Sequence, residues 1–223
     1  MLHSLYCERG NGRSDQLRLL PEPDPHFPLW LRSSEKREGF VSELMWPTDQ
    51  PILTDDVVSV RPWKMDDAPW VYEACLDEAV QRWTHIAVPY RMEDAEGFVG
   101  AYAPHQWDSR QGAAFAIVDA KSGVGVGSVG LMVRDSRSRV GEAGYWLSST
   151  ASGRGLTLRA LELLSSWALS DGQMVRLELL IETENTASRK VAERTGYSLE
   201  GVMRQKVLHR GAQRDVAMYA RTL

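Results

Sequence analysis

Gly153 and Gly155 flank Arg154 directly ahead of a run with helical periodicity, in the stretch SSTASGRGLTLRALELL. Leu156, Ala160, Leu163, Leu164 and Trp167 recur at the spacing of one helical face. A helix start usually carries a Ser, Thr, Asp or Asn cap, and a doubled glycine is not that signal. The chemistry open to such a turn is anion binding. The first backbone N–H groups of a helix have no partners within it and sit at the positive end of its dipole. With no side chains in the way, a pyrophosphate can reach hydrogen-bonding distance of them. The alternative is a tight strand-to-helix turn with no ligand. A Walker A loop is absent. Gly125-Val-Gly127-Ser-Val-Gly130 formally satisfies GxGxxG. That fingerprint needs a strand before it and a helix opening within it. Here the turn KSG precedes it and the strand-like LMVRD follows, so it reads as small residues in a closely packed strand. The five histidines show neither HxxxH nor HxH spacing, so no metal centre is expected.

The elements that must position the glycine turn alternate along the chain. VVSVRPW (57–63) reads as a first strand, followed by a helix opened by Asp66 and Asp67 that runs through APWVYEACLDE. An irregular stretch at 83–90 leads to a second helical segment over 91–107. AAFAIVDA (113–120) and GVGSVGLMVRD (125–135) read as strands joined by a turn, and GEAGYWLS (141–148) as another. The opening stretch supplies the helix 154–169. In VRLELLIE (175–182), Val175, Leu177, Leu179 and Ile181 share one strand face. A short helix starts at Asn185 and is closed by Gly196. Two last strands flank a turn at Gly211. This order predicts an α/β (α+β) domain, a mixed central sheet of about seven strands flanked by helices.

The second half of the chain, GYWLSSTASGRGLTLRALELLSSWAL and then RLELLIETENTASRKVAERTGYSLEGVMR, resembles the GCN5-related N-acetyltransferases, the GNAT superfamily. The resemblance is greatest to the branch that contains the ribosomal-protein acetyltransferases RimJ and RimL. It covers roughly residues 52–222 and rests on GYW, GRG, NxxS, GY and LEG in that order. It implies a GNAT fold and an N-acetyltransferase that takes acetyl-CoA as co-substrate, without a metal. By this resemblance Leu147 and Ser148 bond the pantetheine arm through main-chain groups, and Gly153, Arg154, Gly155, Leu156 and Thr157 cradle the phosphates. Asn185 lies beside the pantetheine, and the Ser188 hydroxyl bonds the coenzyme sulfur; plain N-capping of the short helix is the alternative for both. RimL-like enzymes carry a glutamate in the strand after LEG, where this chain has Val207. Glu142 matches a glutamate frequent in the family and could act as base, directly or through water. Its alternative is a strand-end carboxylate paired with an arginine. Tyr145 reads as core or pocket wall, and Trp70, Trp83, Tyr90 and Trp107 lie in segments that could line the acceptor pocket.

A weak or indirect base favours an acceptor that loses its proton easily. At pH 7 a lysine amine needs about 4–5 kcal/mol to become neutral, an α-amine only about 1–1.4 kcal/mol. The N-terminal α-amine of a protein or peptide is therefore the expected acceptor. A small-molecule acceptor (aminoglycoside-like or amino-acid) and a non-catalytic acyl-CoA-binding module are the alternatives.

Bulk composition narrows the classes. Of 223 residues 43% are hydrophobic and 25% charged, ordinary for a globular protein. The net charge of -4 offers no basic excess for nucleic acid. No apolar run approaches the ~20 residues of a membrane helix, and the N-terminus has no signal-peptide core. Two cysteines, Cys7 and Cys75, argue against a disulfide framework or zinc site and fit a reducing cytoplasm. A monomer or homodimer is expected. Residues 1–50, proline-rich and then charged, read as an irregular N-terminal extension before an acetyltransferase domain at 51–223, with Met45 as a candidate start.

Overall fold

The computed structural model describes residues 44–223; the expected extension up to residue 43 lies outside them. Their strands are β1 (Leu53–Thr54), β2 (Val58–Pro62), β3 (Gly112–Asp119), β4 (Gly125–Asp135), β5 (Val140–Leu147), β6 (Arg176–Glu182), β7 (Ser198–His209) and β8 (Ala212–Thr222). They form one sheet in the order β1-β2-β3-β4-β5-β6-β8-β7. The sheet is mixed: β5 and β6 are parallel and every other neighbouring pair is antiparallel. The strand beyond the seven expected is β1, whose two residues pair Leu53 with Val60 and Thr54 with Ser59. A two-residue strand carries no alternation that a sequence could display.

Helices cover both faces. On one, α5 (Leu156–Leu169) and α6 (Thr186–Arg194) pack Leu156, Leu161, Leu164 and Ala192 against Val129, Leu131, Leu177, Leu179 and Tyr219 of the sheet. On the other lie α1 (Ala68–Cys75), α2 (Glu78–Trp83), α3 (Met92–Gly97) and α4 (Ala103–Asp108), whose Val71, Val80, Ala95 and Ala103 meet Ala116, Val118 and Trp146. Strand alternation assigns the faces of β6. Leu177, Leu179 and Ile181 join the α5 side, so Arg176, Glu178, Leu180 and Glu182 belong to the other.

Three details differ from the sequence pattern. The first expected helix is two: Asp77 turns extended and caps α2, its carboxylate accepting from the Ala79 N–H at 2.8 Å. The second is α3 and α4 joined by a π turn at Phe98–Tyr102. Gly100 lies in that turn, where an added Cβ would stand 2.5 Å from Met65 Sδ, so a side chain there would displace the exposed end of Met65. Third, Leu44 and Trp46 fall inside the stretch read as extension, yet both are buried in the core. Trp46 Nε1 donates to Gly172 O at 2.8 Å and Gln50 Nε2 to Ala114 O at 2.9 Å. Residues 44–50 therefore pack on the domain, upstream of the expected boundary at 51.

Candidate active site

The site begins where a ladder stops. β5 and β6 pair only at Val140–Arg176, Gly141–Leu177 and Glu142–Glu178. Beyond them β5 stays paired with β4 as far as Leu147, while its other edge has no strand partner among the described residues. An unpaired strand edge presents main-chain donors and acceptors to any extended, amide-bearing chain. A cavity of about 820 Å³ opens between the separated strands, within the range of small-molecule sites. It lies at the carboxyl ends of two parallel strands, where open sheets bind ligands.

The glycine turn closes one end. Gly153 has φ 78° and Gly155 φ 73°, both left-handed, and Gly155 is the residue from which α5 starts. A Cβ on either would meet nothing within 4 Å. The glycines are thus required by backbone conformation, and the space beside them is open. Gly153, Arg154, Gly155, Leu156 and Thr157 all line the cavity. Arg154 also pairs with Asp119 on the surface at 2.5 Å, and its guanidinium holds the Asp119 carboxyl down at about 2. Lys190 and Arg194, one turn apart on α6, add two cations to the lining. Their i, i+4 spacing was visible in the sequence, but nothing there said which way that face turned.

Leu147, Asn185 and Ser188 line the cavity as well. Asn185 caps α6, its Oδ1 accepting from the Ser188 N–H at 3.0 Å, so the capping reading holds alongside a place on the wall. Ser188 Oγ donates to the Tyr145 hydroxyl at 3.0 Å, and that hydroxyl donates to Ser188 O at 3.1 Å. Burial pushes the Tyr145 hydroxyl above its ordinary range, against the opposing hydrogen bond from Ser188, which keeps it a protonated donor.

Two expected site residues stand elsewhere. Ser148 is not on the wall; its N–H donates to Val126 O at 2.9 Å and is not left to a ligand, while its carbonyl accepts from the Ala151 N–H at 3.0 Å. Glu142 sits in the paired root of β5, below the separation, and is not on the wall either. Its Oε2 accepts from Arg134 Nη2 at 2.7 Å and from Arg134 Nε at 2.9 Å. The ion-pair alternative is what the geometry displays. Glu142→Gln should therefore act on stability, costing roughly 1–3 kcal/mol because Arg134 keeps partial access to water. Thermal melts beside coenzyme titrations check this: a lowered melting point with unchanged affinity is expected.

Of the aromatic residues expected in an acceptor pocket, only Trp83 lines the cavity. Trp107 is buried against Trp46 with ring centroids 5.1 Å apart, and Tyr90 is buried in the core beneath α1 to α4. Trp70 stacks on Trp63 at 5.3 Å and donates to Asp67. Among the described residues no helix is long and apolar enough to cross a membrane.

Residues 58–198 match the family model for the acetyltransferase (GNAT) domain. The chain belongs to the GNAT acetyltransferases. This GNAT domain is 33% identical over 86 residues to the ribosomal-protein-serine acetyltransferase of Escherichia coli (strain K12), a match covering 39% of this chain and 48% of that protein. It thus spans about half the length of that relative. Among solved structures it superposes on RimL, a ribosomal L7/L12 alpha-N-protein acetyltransferase in complex with coenzyme A, with TM-score 0.72 and 21% identity over 78% of this chain and 98% of that one. A second GNAT likeness is the microcin C7 self-immunity acetyltransferase MccE with acetyl-CoA and AMP, with TM-score 0.68 and 19% identity over 76% and 94% of the two chains.

Proposed function

We propose that the protein transfers the acetyl group of acetyl-CoA to the α-amine of a protein or peptide, by direct attack within a ternary complex. The observation that carries the reading is the separation of β5 from β6 beside the left-handed glycine turn. The open edge of β5 suits the two amides of a pantetheine arm. The amides at the start of α5, with Arg154, Lys190 and Arg194 nearby, suit its phosphates. The acceptor is proposed from the names of the relatives together with the smaller cost of neutralising an α-amine.

In the reaction the neutral amine attacks the thioester carbonyl carbon. The C–N bond forms, the C–S bond breaks, and backbone N–H groups of the β5 edge stabilise the oxygen on which charge gathers. The nitrogen sheds a proton and the departing thiolate gains one. For that, the Ser188 hydroxyl turns from Tyr145 toward the sulfur. Ser188→Ala should lower kcat about tenfold, the worth of one hydrogen bond, with Tyr145 still able to serve.

The deciding experiment offers acetyl-CoA with three acceptors: peptides with a free N-terminus, the same peptides blocked there but carrying lysine, and small amines. Thiol release gives the rate and mass spectrometry the acetylated atom. Acetylation confined to the N-terminus is expected. Turnover only with small amines would replace the acceptor, and coenzyme binding without any thiol release would reduce the protein to a binding module.

A further inference from the structure

Among the described residues the cavity wall contains a single carboxylate, Glu182, the last residue of β6. It stands on the α1–α4 side with Thr84, Trp83 and Val80, away from the cations of α6. Behind it is His209, the last residue of β7. Both are buried, Glu182 at 6% and His209 at 4% exposure. Nδ1 of His209 meets Oε1 of Glu182, and Nε2 lies 3.1 Å from the Thr84 carbonyl oxygen.

Those partners fix where hydrogens stand. A carbonyl oxygen only accepts, so Nε2 carries a hydrogen. A neutral ring then presents a lone pair at Nδ1, facing the lone pairs of a carboxylate. The contact is bonded only when one further proton lies between Oε1 and Nδ1. Glu182 and His209 together form one site for one proton, with Glu182 opening it to the cavity.

We infer that this Glu182–His209 pair takes the proton from the acceptor amine, Glu182 as the catalytic residue and His209 as its positioning residue; the inference rests on the acetyltransferase reading above. The ammonium passes one proton to the empty pair, its nitrogen keeps the freed electron pair, and that pair forms the C–N bond. The proton that the nitrogen loses after attack goes to the departing sulfur. The proton held by Glu182 and His209 leaves to solvent with the product.

Most other charged groups around the pair have their own partners. His85 stacks on the His209 ring with centroids 4.5 Å apart. Arg210 Nη2 donates to the carbonyls of Gln81 at 2.9 Å and Ile86 at 3.1 Å. On β8, Arg214 pairs with Glu184 at 3.4 Å and Asp215 accepts from the Gln205 N–H at 2.8 Å. From α6, Arg189 donates to Thr183 O at 3.4 Å, and Lys190 and Arg194 reach the cavity.

The sign of the pH effect follows from the proton count. Only the proton-free pair can accept a proton, so the loss on removing it is largest where the amine arrives as an ammonium. Glu182→Gln should lower kcat/KM by roughly 10²–10⁴ at pH 7 with coenzyme affinity unchanged, the usual range for general base catalysis. The deficit should shrink above pH 8, where an α-amine is neutral by itself. His209→Gln, which can still donate to Thr84, should give a smaller loss with a displaced pH limb. Wild-type kcat/KM and profile in folded Glu182→Gln would overturn the inference. Should that variant not fold, Glu182→Asp, which keeps a carboxylate at a shorter reach, is assayed with the same amines. A kcat/KM and pH profile equal to wild type in that variant overturns the inference. If no amine is acetylated at all, the acetyltransferase reading fails by itself. NMR of the His209 ring then judges the proton site: a titration identical in wild type and in Glu182→Gln or Glu182→Asp overturns the pair.

Discussion

Trp46→Ala is expected to lower the melting temperature by roughly 6–20 °C, the equivalent of about 3–5 kcal/mol in a domain of this size. The ring is stacked on Trp107 at 5.1 Å and set edge-on to Trp167 at 5.5 Å, and Trp167 meets Phe115 edge-on at 5.9 Å. Removing it takes one ring from a four-ring cluster centred on Trp167 and leaves the Gly172 carbonyl without its Nε1 donor. Trp46→Phe separates the two losses, since it keeps most of the packing and gives up about 1 kcal/mol of hydrogen bond. A chain that starts at Met45 keeps Trp46, whereas one that starts at residue 51 loses it together with the Gln50 contact. The second should melt at least as low as Trp46→Ala. A drop of less than about 3 °C for both Trp46→Ala and the shorter chain would show that residues 44–50 lie on the domain without stabilising it.

Trp46 also marks how far the sequence could be read. Local signals worked where neighbours in the chain are neighbours in space. The alternation of β6, the periodicity of α5, the Asn185 cap and the left-handed turn at Gly153 and Gly155 are set within one element or one turn. Trp46 sits among Pro47, Thr48 and Asp49 in a stretch with no period, and its partners Trp107, Gly172 and Trp167 lie 61 to 126 positions downstream. Packing of that range leaves no mark on a local pattern. The site divides in the same way. The glycine turn was legible because a doubled glycine before a helix has a short-range conformational cause. The proposed proton-accepting pair was not, because Glu182 and His209 are 27 residues apart and belong to strands separated in the sheet by β8. At Glu142 the sequence left a base and an arginine-paired carboxylate both open, because its place in GEAGYW is a local match while its partner Arg134 comes from the neighbouring strand.

Gly153→Asp should abolish most coenzyme affinity, weakening it by 100-fold or more, while the protein stays folded. Two effects must be kept apart. At φ 78° any side chain is strained, at about 1–2 kcal/mol, although Asp and Asn tolerate this region better than other residues. Gly211 has the same φ of 78° and the same open surroundings, in the β7–β8 turn away from the glycine turn. Gly211→Asp therefore measures strain alone, and should lower the melting point slightly with coenzyme affinity intact. At Gly153 the new carboxylate enters the empty space beside the first amides of α5, where a pyrophosphate would stand. Two like charges about 4 Å apart repel by roughly 4 kcal/mol near a protein surface, close to a thousandfold in affinity. Arg154 is bound to Asp119 and offsets only part of this. Gly153→Asn has nearly the shape of the aspartate without its charge, so the difference between the two is the electrostatic share. That share should shrink as salt is raised. Calorimetric titration of acetyl-CoA into the three variants reads all of this directly. If Gly153→Asp and Gly153→Asn bind alike, within threefold of wild type, the turn serves the backbone alone and the phosphates lie elsewhere on the wall, nearer Lys190 and Arg194.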